Sequence, residues 1–148
     1  MKFNLCISFF CLVSCTTFKA MPKVAGQGVA GQVTYSSGNQ MPSPDVQRKK
    51  PVGVMRWLYI YELTRVDQVS GQAPMYSSVS TRQVAKVKSD SLGHFQCKLS
   101  PGKYSIFVLE GKSFFANQTD NEGAIAAFEV KAGKVTQYNL LINHKAFY

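Results

Sequence analysis

The feature that most constrains the fold of this chain is a set of short alternating runs separated by turn residues. Residues 90–93, Asp-Ser-Leu-Gly, favour a turn, because Asp tolerates its first position and Gly adopts a positive φ without strain. Beyond this turn Phe95, Cys97 and Leu99 alternate with polar residues, which is the pattern of a half-buried strand. Since no helical period is found elsewhere, the chain is expected to be all-β.

Further strands are predicted on both sides of this turn. Residues 56–64 form a strongly β-prone run in which aromatic residues share one face and Leu58 and Ile60 the other, which favours a central strand. The other predicted strands are 29–35, 84–88, 94–99, 103–110, 126–130 and 135–143. Long exposed loops are predicted at 41–54 and 64–78, and a polar loop at 111–124. Seven strands joined by turns predict one Greek-key β-sandwich.

The N-terminus predicts a signal peptide over residues 1–14. Lys2 supplies the positive charge, and the apolar run 5–13 is shorter than the ~20 residues that a membrane-spanning helix needs. Residues 12–15, Leu-Val-Ser-Cys, resemble the bacterial lipobox, so Cys15 is the expected lipidation site and membrane anchor. Cleavage after Ala20, or within 14–17 without lipid, stays open as an alternative.

The remaining chain divides into a flexible tether at 15–28 and a β-sandwich domain at 29–148. Once a lipidated Cys15 is set aside, Cys97 has no intramolecular disulfide partner in the mature protein. We expect Cys97 to be a small buried hydrophobe rather than a reactive thiol. The tether carries no acidic cluster, which favours the periplasmic face of the outer membrane.

Two groups of residues resemble the carboxypeptidase regulatory-like domain, which has a transthyretin-like (prealbumin-like) fold. The weaker likeness is residues 31–33 with Gly38 and the pair 41–42, similar to the opening strand and turn. The stronger likeness is to the Asp-x-x-Gly-x-Phe and Pro-Gly-x-Tyr signature, carried by Asp90, Gly93, Phe95, Pro101, Gly102 and Tyr104. The resemblance covers residues 29–143, with insertions at 41–54 and 64–78, and is nearest to stand-alone lipoproteins of Bacteroidetes-type bacteria. It implies a fold and structural roles for the signature, not an activity.

Two surfaces are candidates for binding. The formal net charge is +9, yet the 17 Lys and Arg residues are scattered, and the one tight run is 48–50, Arg-Lys-Lys. Nucleic-acid binding is therefore not expected. The second candidate is an aromatic patch of 114–115 with 147–148, Phe-Phe and Phe-Tyr. A solvated loop and aromatics folded onto the sandwich edge are the respective alternatives.

Candidate catalytic and metal-binding residues are few. His94 and His144 are expected to be solvated, and the oxygen ligands at 120–122, Asp-Asn-Glu, suggest a calcium site or a solvated loop. The C-terminal Tyr-Arg-Gly-Ser of transthyretin-like hydroxyisourate hydrolases is replaced here by residues 143–148. No catalytic residue, metal or cofactor is assigned. The sequence predicts a non-enzymatic, membrane-tethered envelope module that binds a protein or a polysaccharide. A small hydrolase or ligand carrier, or a structural envelope component, is the alternative.

Overall fold

A computed structural model of the chain describes residues 26–41 and 50–147, which form an all-β protein of two sheets. The predicted β-sandwich class is confirmed. The strands are β1 Gly28–Asn39, β2 Val52–Gly53, β3 Trp57–Glu62, β4 Val69–Gln72, β5 Met75–Val79, β6 Gln83–Lys88, β7 His94–Cys97, β8 Gly102–Glu110, β9 Ser113–Phe115, β10 Ala127–Val130, β11 Val135–Gln137 and β12 Leu140–Phe147. A 3₁₀ turn at Val66–Gln68 is the one helical element of these ranges, where no helix is long and apolar enough to cross a membrane.

The first sheet is built around β1, which changes partners halfway along its length. Its first half pairs with β7 (antiparallel) and β11 (parallel), and its second half with β2 (antiparallel) and β12 (parallel). Where β11 gives way to β12, the Asn139 side-chain oxygen accepts a hydrogen bond from the backbone N–H of Gln32 at 3.0 Å. The predicted strand 135–143 is therefore two strands, because a side chain replaces one ladder bond at this junction.

The second sheet has the order β4-β5-β9-β8-β3-β6, and β10 also pairs with β8. β3 lies between β8 and β6, so the prediction of an interior strand at 56–64 is confirmed. β6 is the outermost strand on that side.

One hydrophobic cluster joins the two sheets. Val33 and Ile142 come from the first sheet and Leu58, Ile60 and Ile106 from the second, and all five are fully buried. Burial of this apolar surface supplies the main driving force for folding, and Cys97, the single cysteine of the described residues, forms no disulfide among them.

Several predicted loops contain strands. Residues 64–78 hold the 3₁₀ turn, all of β4 and most of β5, residues 111–124 hold β9, and residues 41–54 hold β2. These strands were missed because they are short or because their Ser, Gln and Gly residues are exposed on both faces and so lack apolar alternation. With 12 strands in the described ranges, the predicted count of seven and its Greek-key order are not confirmed.

The described domain begins slightly before the predicted boundary at residue 29. The Gln27 side chain donates to the Leu99 carbonyl at 2.8 Å and accepts from the Gly133 N–H at 3.0 Å, and β1 starts at Gly28. The predicted signal peptide 1–14, Cys15 and the rest of the tether up to residue 25 lie outside the described residues.

Candidate functional site

The turn between β6 and β7 is closed by one carboxylate. Asp90 Oδ1 accepts hydrogen bonds from the backbone N–H groups of Leu92 and His94 at 2.9 and 2.8 Å. Gly93 donates its N–H to the Asp90 carbonyl at 3.0 Å and has a φ of +84°. A Cβ on Gly93 would lie 2.1 Å from the Val33 carbonyl oxygen. Asp90 and Gly93 therefore shape the turn and let it approach β1.

The other signature residues lie along the connection from β7, in the first sheet, to β8, in the second sheet. Phe95 is buried in the core, and Pro101 is exposed at the turn. The Tyr104 hydroxyl donates to the Ser100 carbonyl at 3.0 Å, and a Cβ on Gly102 would lie 3.2 Å from that hydroxyl oxygen. The hydrogen bond of Tyr104 is internal to this connection, so the geometry gives the residue a structural role.

A second turn of the same construction lies at the predicted calcium ligands. Asp120 Oδ1 accepts from the N–H groups of Glu122 and Ala124 at 2.9 and 2.8 Å. Gly123 donates to the Asp120 carbonyl at 3.1 Å and has a φ of +79°. Asp120 Oδ1 thus accepts backbone hydrogen bonds. Among the described residues, no group of three metal-ligating side chains lies close enough to hold an ion. The spacing Asp-x-x-Gly was visible in the sequence, but only its first copy was recognised there.

The two histidines occupy different environments. His94 is half exposed, with Nδ1 3.6 Å from Asp90 Oδ2. His144 packs between the rings of Tyr35 and Phe115, with ring centroids 6.3 and 5.5 Å away, and its Nδ1 is buried with no hydrogen-bond partner among the described residues. The aromatic surroundings indicate that His144 fills space in the sandwich.

The histidines are also far apart. Gln32 of β1 lies opposite His94, whereas Ser37 lies opposite Lys145, the residue after His144. Ser37 lies five steps along β1 from Gln32, which is roughly 16 Å at about 3.3 Å per residue. A paired-histidine site of the kind used by the hydrolase alternative is therefore not formed by these two side chains.

Cys97 is half-buried at the end of β7 and packs against the core. Burial raises the pKa of its thiol above the usual value, so the thiol stays protonated near neutral pH. A protonated thiol is a poor nucleophile, which agrees with the packing role expected from the sequence.

The aromatic patch considered above is not a single exposed surface. Phe115 is fully buried in β9, and Phe114 is half-buried against Tyr59 at a centroid distance of 5.3 Å. Phe147 is 69% exposed, but it lies at the end of β12 in the first sheet, whereas Phe114 and Phe115 belong to β9 in the second sheet. In the basic run Lys50 is exposed, and Arg48, Lys49 and Tyr148 lie outside the described residues.

An exposed aromatic and basic surface lies on β3 and β6, and sequence reasoning missed it. Trp57 pairs with Lys88 and Tyr59 with Lys86 in the antiparallel ladder. The Lys86 ammonium lies 4.4 Å from the Trp57 ring centroid and 4.8 Å from that of Tyr59, and the Lys88 ammonium lies 5.5 Å from Trp57. We call these four residues the β3–β6 platform. Each cation–π contact at an exposed site contributes about 0.5–1 kcal/mol, which holds the lysines in place.

The platform carries uncompensated positive charge. Arg56, Arg65 and Arg82 each contact a carboxylate, whereas no ion pair of the described residues includes Lys86 or Lys88. Trp57 is 40% exposed despite its size. An exposed Trp beside two preordered ammonium groups is suited to contact an anionic partner, because aromatic residues dominate interface energetics and the charges select the partner.

A cleft of about 540 Å³ on the first sheet is lined by residues of β1, β7 and β11 and by Asn139. Asn139 fills the junction of β11 and β12 through its bond to Gln32, and the Gln32 side chain donates to the Leu92 carbonyl at 2.9 Å. These hydrogen bonds hold β1 in place where it changes from its first pair of partner strands to its second. We therefore interpret the cleft as part of the fold.

No family model, curated protein or solved structure matches this chain.

Proposed function

We propose that the chain is an exported lipoprotein of the outer membrane whose β-sandwich is a non-enzymatic module that binds another envelope component. The observation that carries this proposal is the β3–β6 platform, where Lys86 and Lys88 rest on an exposed Trp57 without a carboxylate partner. When a partner covers an exposed tryptophan, burial of its large apolar ring contributes to the binding free energy.

The proposed tether places this platform close to the membrane. Lipid on Cys15 would anchor the chain, and roughly 12 residues separate this anchor from Gln27 of the described domain. A domain held at that distance meets other membrane-bound or peptidoglycan-layer components at high local concentration. We place the module on the periplasmic face, with a protein as the favoured partner.

The proposed fold family is the carboxypeptidase regulatory-like domain with a transthyretin-like Greek-key topology. Its support is the residue signature, in which Asp90 bonds backbone groups of the β6–β7 turn and Tyr104 bonds the backbone of the β7–β8 connection. Such a scaffold leaves edges and inserted segments available for binding.

Recovery of an envelope partner with a tagged full-length chain tests the proposal. From detergent-solubilised envelope, we expect the wild-type chain to retain a discrete partner that a Lys86→Glu/Lys88→Glu variant loses, because reversed charge repels an anionic surface. A Lys131→Glu/Lys134→Glu variant is the matched control, since it makes the same charge change in the turn between β10 and β11. A Cys15→Ala variant is expected to leave the membrane fraction and recover no partner.

Two results would count against the proposal. Equal recovery of the partner with both double variants would show that the platform takes no part in the interaction. Retention of the Cys15→Ala variant in the membrane fraction would contradict the lipid anchor.

A further inference from the structure

We infer that the partner presents an acidic, extended segment that adds to the second sheet as a new strand beside β6. This inference rests on the proposed function and specifies how its binding surface works. Three features of β6 support it: an open backbone edge, a charge pattern that rejects a second copy of this chain, and different chemistry on its two faces.

The open edge follows from the hydrogen-bond pattern. Ser89 donates its N–H to the Arg56 carbonyl at 2.9 Å, which marks this pair as hydrogen-bonded across β6 and β3. Because antiparallel strands alternate between bonded and non-bonded pairs, Val87 bonds β3 next, and the backbone groups of Lys86 and Lys88 turn away from it. No described strand pairs with that side of β6. An added strand would satisfy those backbone groups.

The charge pattern selects among occupants. Lysine on an edge strand opposes pairing with an identical edge, because like charges directly opposite destabilise a ladder. Lys86 and Lys88 therefore disfavour a dimer through β6. The same side chains favour a strand with carboxylates at alternating positions, since directly opposite residues share a face. Their ammonium groups are already ordered over Trp57 and Tyr59, so less side-chain entropy is lost when they bind.

The two faces of β6 differ in polarity. Lys86 and Lys88 are exposed on the face that carries Trp57, whereas Ala85 and Val87 are half-buried and pack against the rim of the core. A strand beside β6 would continue both faces. The segment that fits alternates acidic residues with small or β-branched apolar residues over about five positions.

A synthetic peptide tests this inference with purified full-length lipoprotein in detergent. The probe is Thr-Glu-Val-Glu-Val-Glu-Thr, and the readout is tryptophan fluorescence, because Trp57 is the single tryptophan of the chain. We expect saturable binding that changes this emission and slows amide hydrogen exchange at Lys86 and Lys88. The peptide with Lys in place of each Glu is expected not to bind. Lys86→Glu/Lys88→Glu should weaken binding of the acidic peptide roughly tenfold or more and permit binding of the basic one.

Backbone methylation separates strand addition from simple charge attraction. Successive amides of an extended strand point to opposite sides, so methylating one alternating set should abolish binding while methylating the other set leaves it intact. Equal binding by both methylated peptides would overturn the inference, as would an equal fluorescence response to polygalacturonate. Concentration-dependent self-association of the wild-type chain through β6 would overturn it too.

The failures of the two proposals are distinguishable. If the platform variant loses the envelope partner but the acidic peptide does not bind wild-type protein, strand addition is wrong and the binding module stands. If the envelope partner is recovered equally with the platform and control variants, the proposed function itself fails at this surface.

Discussion

Replacement of Gly93 by alanine is expected to destabilise the domain by about 4 kcal/mol, one of the largest effects of a single added methyl group in this chain. Two costs add. The φ of +84° places an L-residue in the left-handed region, at about 1–2 kcal/mol. The new Cβ would also lie 2.1 Å from the Val33 carbonyl oxygen and 3.0 Å from the Val54 nitrogen, and both neighbours are backbone atoms that cannot rotate away. The turn must shift, which strains the hydrogen bond that the Val33 N–H donates to the Gly93 carbonyl.

Gly133→Ala is the matched control for this prediction. Gly133 has a φ of +67°, but a Cβ there would meet no atom within 4 Å, so only the conformational cost of about 1–2 kcal/mol remains. Urea unfolding followed by Trp57 fluorescence gives both free energies. Equal midpoints for the two variants would show that the approach of the β6–β7 turn to β1 is not tight.

Replacement of Phe107 by alanine is expected to cost about 4 kcal/mol, because a fully buried aromatic ring leaves a cavity and loses its ring contacts. The ring makes edge-to-face contacts with Tyr61, Tyr76 and Phe114 at centroid distances of 5.7, 6.1 and 6.3 Å. These contacts connect β8 to β3, β5 and β9, so this one side chain joins much of the second sheet.

Phe147→Ala is the control for this substitution, since Phe147 is 69% exposed and its loss should change stability by no more than about 0.5 kcal/mol. Thermal unfolding should show the Phe107→Ala transition lowered by roughly 15 °C. Should that variant fail to fold, Phe107→Leu should still melt measurably below Phe147→Ala. Melting of Phe107→Leu and Phe147→Ala at the same temperature would contradict the account of the second sheet.

Strands with an apolar face were predictable from sequence. β3, β7 and β8 alternate or run apolar because a face of each lies in the core, and the turn beginning at Asp90 is set by local hydrogen bonds. Such signals depend on neighbours within a few residues. The β4–β5 hairpin gives no such signal, because it is held by backbone pairing and its Ser and Gly residues face solvent.

The platform was not predictable, for a different reason. Trp57 and Lys88 are distant in sequence, and only the register of β3 with β6 places them opposite each other. A one-residue slip would send both lysines to the other face of the sheet. The alternation of Lys86 and Lys88 and the position of Trp57 in a strand are visible in the sequence, but the pairing of the two strands is not. The predicted lipid anchor at Cys15 is the reverse case, a local signal that the described residues do not include.

The central claim, that the β3–β6 platform contacts a partner in the envelope, is tested most directly by lysine acylation of the wild-type protein. A small amine-reactive reagent would be applied to intact cells and to the purified protein, and modification at each lysine would be measured by mass spectrometry. We predict that Lys86 and Lys88 react several-fold more slowly in cells than in the purified protein, while Lys131 and Lys134 react at equal rates in both. Unchanged reactivity of Lys86 and Lys88, or equal slowing at all four lysines, would contradict the claim.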